Sequence, residues 1–162
     1  MREMMLWVGL VVVLVCINVL ILDKEKTLAE GELILLELAP RDPRSLLQGD
    51  FMALRYQMAN QVLHKVETRA MDGNLVIALN DQNVARFARM HTPEIPLAEN
   101  ERLLRFRKRG QHVRIAGDAF FFQEGHGRDY QNAHYGELRV DASGKAILTG
   151  LRDRHAQALK PE

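Results

Sequence analysis

Cysteine is almost absent from this chain. The single cysteine, Cys16, lies in an apolar stretch near the N-terminus, and none follows it. A disulfide framework and cysteine-ligated metal sites are therefore excluded. An acylated lipoprotein cysteine is disfavoured, because Val15 precedes Cys16 and apolar residues continue after it. We interpret Cys16 as a small apolar side chain within a span, and the rest of the chain must rely on an apolar core.

Serine and net charge are also scarce. The chain has two serines, Ser45 and Ser143, and a net charge of +1 from 22 basic and 21 acidic side chains. A serine–lysine peptidase needs a serine nucleophile and a lysine general base. No spacing supports Ser45 with Lys65, and Ser143 lies in a predicted hairpin turn. The balanced charge argues against nucleic acid as a partner.

Apolar residues, in contrast, are concentrated in residues 4–22, which contain no formal charge. At about 1.5 Å per residue, this run is long enough to cross a hydrocarbon core of roughly 30 Å. Signal-peptide cleavage near Thr27-Leu28-Ala29 is disfavoured, because charged residues 23–26 precede that site. We therefore predict an uncleaved signal-anchor helix with its flanks (1–26), a folded domain (27–153) and a polar, frayed tail (154–162). Residues 27–30 are either a linker or an extension of the helix.

Charge does not decide the orientation of the predicted span. Arg2 and the terminal amine oppose Lys24 and Lys26 across it. Asn18 is the one strongly polar side chain in the span. Either a single amide near the membrane edge is tolerated there, or Asn18 forms a hydrogen bond with another membrane helix.

Short apolar runs separated by turn residues predict a mainly β domain, either a small barrel or a sandwich, with one or two short helices. No internal repeat interrupts this pattern. The predicted strands are 32–38, 50–58, 75–79, 84–90, 101–107, 112–115, 119–122, 135–140 and 145–151, the predicted helical stretches are 61–70 and 126–134, and a turn is predicted at 72–74.

The segment 102–114 is locally basic, and its charged side chains alternate with apolar ones. This pattern is typical of the solvent face of a hairpin, although such a patch also fits anionic lipid headgroups. Further along, Phe120, Phe121 and Phe122 cannot all face one side of a strand. We expect at least one of these rings to be exposed.

The string Gly49-Asp50-Phe51-Met52-Ala53-Leu54-Arg55-Tyr56 resembles the signature of the bacterial GDYXXLXY family, with Phe51 in place of the usual tyrosine. Four further blocks, at 42–48, 121–125, 135–137 and 148–152, are similar to that family in the same order. The resemblance covers most of the chain, from the apolar span to Asp153.

The resemblance implies a small membrane-anchored protein of Gram-negative bacteria, with its folded domain outside the cytoplasm. Family members are often encoded beside multi-spanning membrane proteins, and the resemblance implies no activity. It implies a single-pass inner-membrane protein with a cytoplasmic N-terminus and a periplasmic domain. Because Phe51 lacks a hydroxyl, a role that depends on that oxygen is not expected here.

The motif has a structural and a functional interpretation. Asp50, just after a glycine at the start of a strand, is suited to accept backbone N–H bonds and to pair with Arg41 or Arg44. We favour this structural role. Alternatively, the motif is an interaction surface for another protein, formed by Gly49, Asp50, Phe51, Leu54, Arg55 and Tyr56.

A second cluster carries oxygen and nitrogen ligands close together, at Glu124, His126, Asp129 and His134. If residues 126–134 are helical, His126 and His134 share one face. The spacing matches no recognised metal motif, so we favour a polar, solvent-exposed loop and predict no metal or cofactor.

These observations predict a non-catalytic, membrane-anchored accessory protein. We expect it to bind and support a polytopic inner-membrane protein, with membrane lipid as its other contact. The alternative is a small-ligand or metal-binding domain, with or without hydrolytic activity, that uses the region 124–134.

Overall fold

The computed structural model describes residues 2–40, 47–48, 51–66 and 70–160, and it is mainly β, as predicted. Its two α-helices are α1 (Arg2–Glu30) and α2 (Gln57–Lys65), and a 3₁₀ helix covers His126–Tyr130. The strands are β1 (Glu32–Glu37), β2 (Leu47–Gln48), β3 (Phe51–Ala53), β4 (Ala70–Leu79), β5 (Val84–Met90), β6 (Glu101–Arg109), β7 (His112–Arg114), β8 (Ala119–Phe121), β9 (Tyr135–Val140) and β10 (Ala146–Arg152).

Two sheets organise the domain. The larger has the strand order β10-β9-β1-β5-β4-β6-β7, in which β1 and β5 run parallel and the other neighbours antiparallel. It curls into a half-barrel, because the turn after β9 reaches across to β6, where the Arg105 N–H donates to the Gly144 carbonyl at 2.7 Å. The smaller sheet has the order β2-β3-β8.

The main core lies on the concave side of the half-barrel. Alternate residues of the strands point into it, as Ile34 and Leu36 do from β1 and Leu104 and Phe106 do from β6. Helix α2 covers the open side with Met58, Val62 and neighbouring apolar residues. Removing each such side chain from water stabilises the fold by about 1.5–3 kcal/mol.

A second core lies between the small sheet, the 3₁₀ helix and β10. Its buried residues are Met52, Leu54, Tyr130 and Leu151. The Phe120 and Phe122 rings pack on Tyr130, with ring centroids 5.1 and 5.5 Å away. Sequence reasoning did not predict this second core, because it is assembled from segments that are far apart in the chain.

Helix α1 is continuous from the apolar run to the first strand. Its segment Leu6–Glu30 is long and apolar enough to cross a membrane, and its apolar side chains are exposed. Residues 27–30 are therefore an extension of this helix and not a linker. Strand β1 begins at Glu32, directly after Gly31.

The predicted strand 50–58 and helix 61–70 were wrong in their bounds. Strand β3 ends at Ala53, and α2 already begins at Gln57. The alternation of apolar and polar residues along the segment suggested a strand. However, Met58 and Val62 are one helical turn apart and pack together into the main core. Burial across the open side of the sheet outweighed the local alternation.

The predicted turn at residues 72–74 was also wrong, since these residues lie inside β4. Gly73 lies against the Phe106 ring, which a Cβ at this position would approach to 3.2 Å. Asp72 faces outward and accepts from Arg109 on β6 at 2.7 Å. Pairing with β6 along the whole of β4 overrides the turn propensity of the three residues.

The tail is not frayed over its described part. The Leu159 N–H donates to the Leu151 carbonyl at 2.9 Å, and Arg152 forms a β-bridge with Ala158. Leu159 packs against the second core. Leu159, a large apolar residue in an otherwise polar stretch, is the sequence feature that could have indicated this packing.

Candidate functional site

The motif segment forms the joint between the two sheets. Gly49 and Asp50 lie outside the described residues, as do Arg41 and Arg44, so the Asp50 turn and its ion pair stay predictions. From Phe51 onward the segment is β3 and the short connection to α2. This connection holds Leu54, Arg55 and Tyr56.

Two buried residues of this connection, two positions apart, reach different cores. Leu54 is buried in the second core, and its N–H donates to the Asp118 carbonyl at 2.8 Å. Tyr56 is buried in the main core and forms a β-bridge with Leu38. The segment therefore ties the small sheet to the large one through both side chains and backbone.

Tyr56 is a structural residue. Its hydroxyl donates to the Gly117 carbonyl at 2.9 Å, and its ring lies against Gly136, where a Cβ would come within 3.0 Å of a ring carbon. Burial raises the pKa of the Tyr56 phenol well above its ordinary value, and the nearby Asp118 carboxylate raises it further. The neutral phenol therefore serves as a fixed hydrogen-bond donor.

Three of the four further blocks that resemble the family, at 121–125, 135–137 and 148–152, meet around this joint. Gly136 touches Tyr56, and Glu137 beside it accepts from Arg152 at 2.6 Å. Phe51 lies opposite Phe121 in the pairing of β3 with β8, and their ring centroids are 5.9 Å apart. Blocks that are distant in sequence thus form one connected unit.

The outer face of the small sheet carries an aromatic pair. Phe121 is 74% exposed and Phe51 is half-buried, whereas Phe120 and Phe122 face the second core. This confirms the prediction that at least one of the three successive phenylalanines is exposed.

Among the described motif residues 51–56, Arg55 is the exposed one, and it lines two pockets. One, of about 210 Å³, also contains Leu54, Glu37 and His134. The His134 Nε2 lies 3.6 Å from a Glu37 carboxylate oxygen. The other pocket, of about 420 Å³, lies beside α2 and β7. A guanidinium beside a histidine–carboxylate pair is suited to hold a small polar ligand.

The four predicted ligand residues do not come together. His126 Nδ1 lies 2.9 Å from Asp129 within the 3₁₀ helix, but that helix ends at Tyr130, so His134 does not share a face with His126. Glu124 is exposed in the preceding turn. Over residues 2–40, 47–48, 51–66 and 70–160, no three His, Cys, Asp or Glu side chains are arranged to hold a metal ion.

Asn18 forms a hydrogen bond within its own helix, donating from Nδ2 to the Leu14 carbonyl at 2.8 Å. Asn18 is exposed on the helix surface, so its amide is accessible from outside the helix. The intrahelical bond lowers the cost of placing the amide among apolar residues, and the exposed amide can bind another helix.

A junction between α1 and the β9–β10 turn was not predicted. Thr27 is buried, and its hydroxyl lies 3.3 Å from the Asp141 carboxylate. Lys145 pairs with Asp23 at 2.9 Å, and Arg139 donates to the Gly31 carbonyl at 3.0 Å. These partners are more than a hundred positions apart, so no local pattern could indicate them.

The acid at this junction is held in its charged form. Partial desolvation raises the pKa of Asp141, but hydrogen bonds from Ser143, the Lys145 N–H and Thr27 together bring it below its ordinary value. The same carboxylate shapes the β9–β10 turn, since one oxygen accepts from the Ser143 and Lys145 N–H groups. The turn that receives α1 is therefore rigid.

Comparison with known proteins gives the family. No curated protein and no solved structure matches the chain. The family model described as GDYXXLXY protein matches residues 13–151, from inside the apolar helix to the end of the last strand. With this match over most of its length, the chain belongs to the GDYXXLXY family.

Proposed function

We propose that this protein is an uncleaved, single-pass inner-membrane protein whose β domain binds and supports a polytopic membrane partner without catalysis of its own. The junction of α1 with the β9–β10 turn carries the proposal. Cleavage near Ala29 would remove Thr27 and Asp23, which are bound to Asp141 and Lys145. A helix whose end is packed into the fold fits a permanent anchor better than a removable signal.

The proposed partner surface has two parts. The apolar side chains of α1 are exposed along the whole span, and Asn18 supplies polar atoms among them. The domain adds the outward-facing Phe51 and Phe121. The resemblance, with its multi-spanning neighbours, supports a polytopic protein as the partner and a cytoplasmic N-terminus as the orientation.

Photo-cross-linking in native membranes tests the partner. A benzophenone amino acid replaces Asn18, and the control replaces Val13, which lies about 140° away around the helix. We expect an adduct with one multi-spanning protein from position 18 and little from position 13. Recovery of the protein alone, as a monomer in mild detergent with no adduct from either position, would contradict the proposal.

Cysteine labelling tests the orientation. Cys16→Ala removes the native thiol, and Gln82→Cys introduces one in the exposed β4–β5 turn. We expect a membrane-impermeant maleimide to label position 82 once the outer membrane is opened. Labelling only after lysis of the inner membrane would place the domain in the cytoplasm and overturn the orientation.

The 210 Å³ pocket supports a second candidate, a small-ligand-binding domain. It brings the motif residues Leu54 and Arg55 to His134 and Glu37. Metal analysis of the purified protein tests whether ligand binding by this domain involves a metal ion. Stoichiometric zinc that is lost in a Glu37→Gln, His134→Ala double variant, which alters two residues of this pocket, would favour this candidate over the accessory function.

A further inference from the structure

A groove of about 820 Å³ lies where α1 meets the domain. We call it the juxtamembrane groove. The last two turns of α1 form one wall, the β9–β10 turn forms another, and the start of β6 with residues 97–98 closes the third side. None of the described motif residues 51–56 lines it, so it is separate from the candidate site at the sheet joint.

The groove lies at the depth of lipid headgroups if α1 crosses the membrane. The apolar run ends at Leu22, and Asp23, Lys26 and Glu30 line the groove. From Asp23 to Glu30 the helix rises by about 11 Å at 1.5 Å per residue. The headgroup layer is about 5–8 Å thick on each side. The lower part of the groove therefore overlaps that layer.

The chemistry of the lining is amphipathic and contains both charges. Leu97, Ala98 and Leu103 supply apolar surface. Five carboxylates and three cationic side chains line the groove, so negative charge is in excess. The carboxylates are Asp23, Glu30, Glu32, Glu101 and Asp141, and the cations are Lys26, Arg102 and Lys145. A purely anionic ligand is disfavoured by this excess, whereas a ligand with a phosphate and an ammonium group meets both signs.

We propose that the juxtamembrane groove binds the phosphoethanolamine headgroup of a membrane phospholipid, which rests on the proposed retention of α1 in the membrane. Arg102 and Lys145 donate to the phosphate, and Glu30 and Glu32 accept from the primary ammonium. The ion pairs Arg102–Glu32 at 2.5 Å and Lys145–Asp23 at 2.9 Å are partly exposed. The exposed Arg102–Glu32 pair contributes little to stability, so it can exchange partners with a headgroup. Lys145 has three ammonium N–H groups and can donate to the phosphate while it keeps its two bonds to Asp23.

Native mass spectrometry of the full chain tests this, with equimolar phosphatidylethanolamine, phosphatidylcholine and phosphatidylglycerol in mild detergent. We expect about tenfold preferential retention of phosphatidylethanolamine, the effect of one or two charge-assisted hydrogen bonds. Equal retention of the three lipids, or retention of none, would overturn the proposal. Added free phosphoethanolamine distinguishes a lipid site from a site for a soluble ligand. If it displaces the lipid only at a large excess, the lipid site is supported. If it displaces the lipid at equimolar amounts, the ligand is soluble and the lipid assignment is overturned.

Matched charge variants identify the groove as the site. Glu30→Gln with Glu32→Gln removes two lining carboxylates, and we expect the preference for phosphatidylethanolamine to fall about tenfold. Asp81→Asn with Glu94→Gln removes the same charge from exposed positions outside the groove and leaves the preference unchanged. Unchanged preference in the first variant would assign the lipid to another surface. Ala98→Trp fills the groove without changing its charge and is expected to abolish retention.

The outcome is separable from the proposed function. The intact mass in the same spectrum shows whether residues 1–29 are still present, and their loss would overturn the anchor as well as the headgroup site. An intact chain that retains no lipid overturns only the headgroup site. Cross-linking from position 18 reports on the protein partner and does not depend on the lipid.

Discussion

Single residues at the sheet joint act through shape and hydrogen bonding. Tyr56 is enclosed by Gly136, Leu148 and the Gly117 carbonyl, and its hydroxyl points to the last of these. A glycine at position 136 is required because the ring occupies the place of a side chain. The second tyrosine of the motif is therefore needed for the fold itself.

Gly136→Ala tests this contact. The added methyl group would lie 3.0 Å from a ring carbon of Tyr56 and 3.4 Å from Leu148, so the core must shift. We expect the free energy of unfolding to fall by about 1–3 kcal/mol, measured by urea denaturation of the full chain in mild detergent. Gly150→Ala on β10, which meets nothing within 4 Å, is the control. Equal stabilities of the two variants would contradict the packing argument.

Tyr56→Phe tests the hydroxyl. Loss of the donor leaves the Gly117 carbonyl without it, and we expect a destabilisation of about 1 kcal/mol at pH 7. Because the folded-state pKa is raised, the folded state holds its proton while the unfolded chain ionises above about pH 10. Wild-type stability should therefore fall by about 1 kcal/mol more than that of the variant between pH 9 and pH 11. Parallel pH profiles would show that the phenol is not buried.

At the scale of elements, the alternation of apolar and polar residues predicted strands well where a strand has one buried face. Strands β6 and β9 follow their predicted ranges closely because each buries alternate residues in the main core. The errors at residues 50–58 and 72–74 arose where long-range pairing or a covering helix decided the structure. The second core and the α1 junction could not be predicted, because they join residues with no local pattern.

Strand β8 offers a matched test of which side chains face the second core. Phe120 packs on Tyr130 in the second core, whereas its neighbour Phe121 is 74% exposed. We expect Phe120→Ala to lower the free energy of unfolding by about 2–4 kcal/mol and Phe121→Ala by less than about 1 kcal/mol. Thermal unfolding followed by circular dichroism measures both. A larger loss from Phe121→Ala would reverse the assignment of the two faces.

The whole molecule is a membrane-length helix continuous with a β domain. Gly31 allows β1 to start at once, since its backbone packs against Val140 and Arg139 with no room for a side chain. Thr27, Asp23 and Gly31 then hold the β9–β10 turn against the helix. The junction therefore fixes the direction of the β domain relative to α1, which the proposed anchoring function requires.

Electron-spin distance measurements test this rigidity. One label occupies Cys16 in the span and the other Gln82→Cys in the domain, with the full chain in lipid nanodiscs. We expect a narrow distance distribution that broadens in Thr27→Val, because the hydroxyl no longer reaches Asp141. Thr149→Val removes an exposed threonine hydroxyl from β10 and serves as the control. Equal widths for all three proteins would show that the junction does not hold the domain.

The same measurement has a predicted pH dependence. The pKa of Asp141 is lower in the folded protein than its ordinary value, so its charge stabilises the junction above about pH 4. That contribution is lost as the pH falls through the lowered folded-state pKa, and the distribution should then broaden. Asp141→Asn should be broad already at pH 7 and insensitive to acid over this range. A narrow distance distribution for Asp141→Asn at neutral pH would show that the end of α1, and not the Asp141 carboxylate, orients the domain.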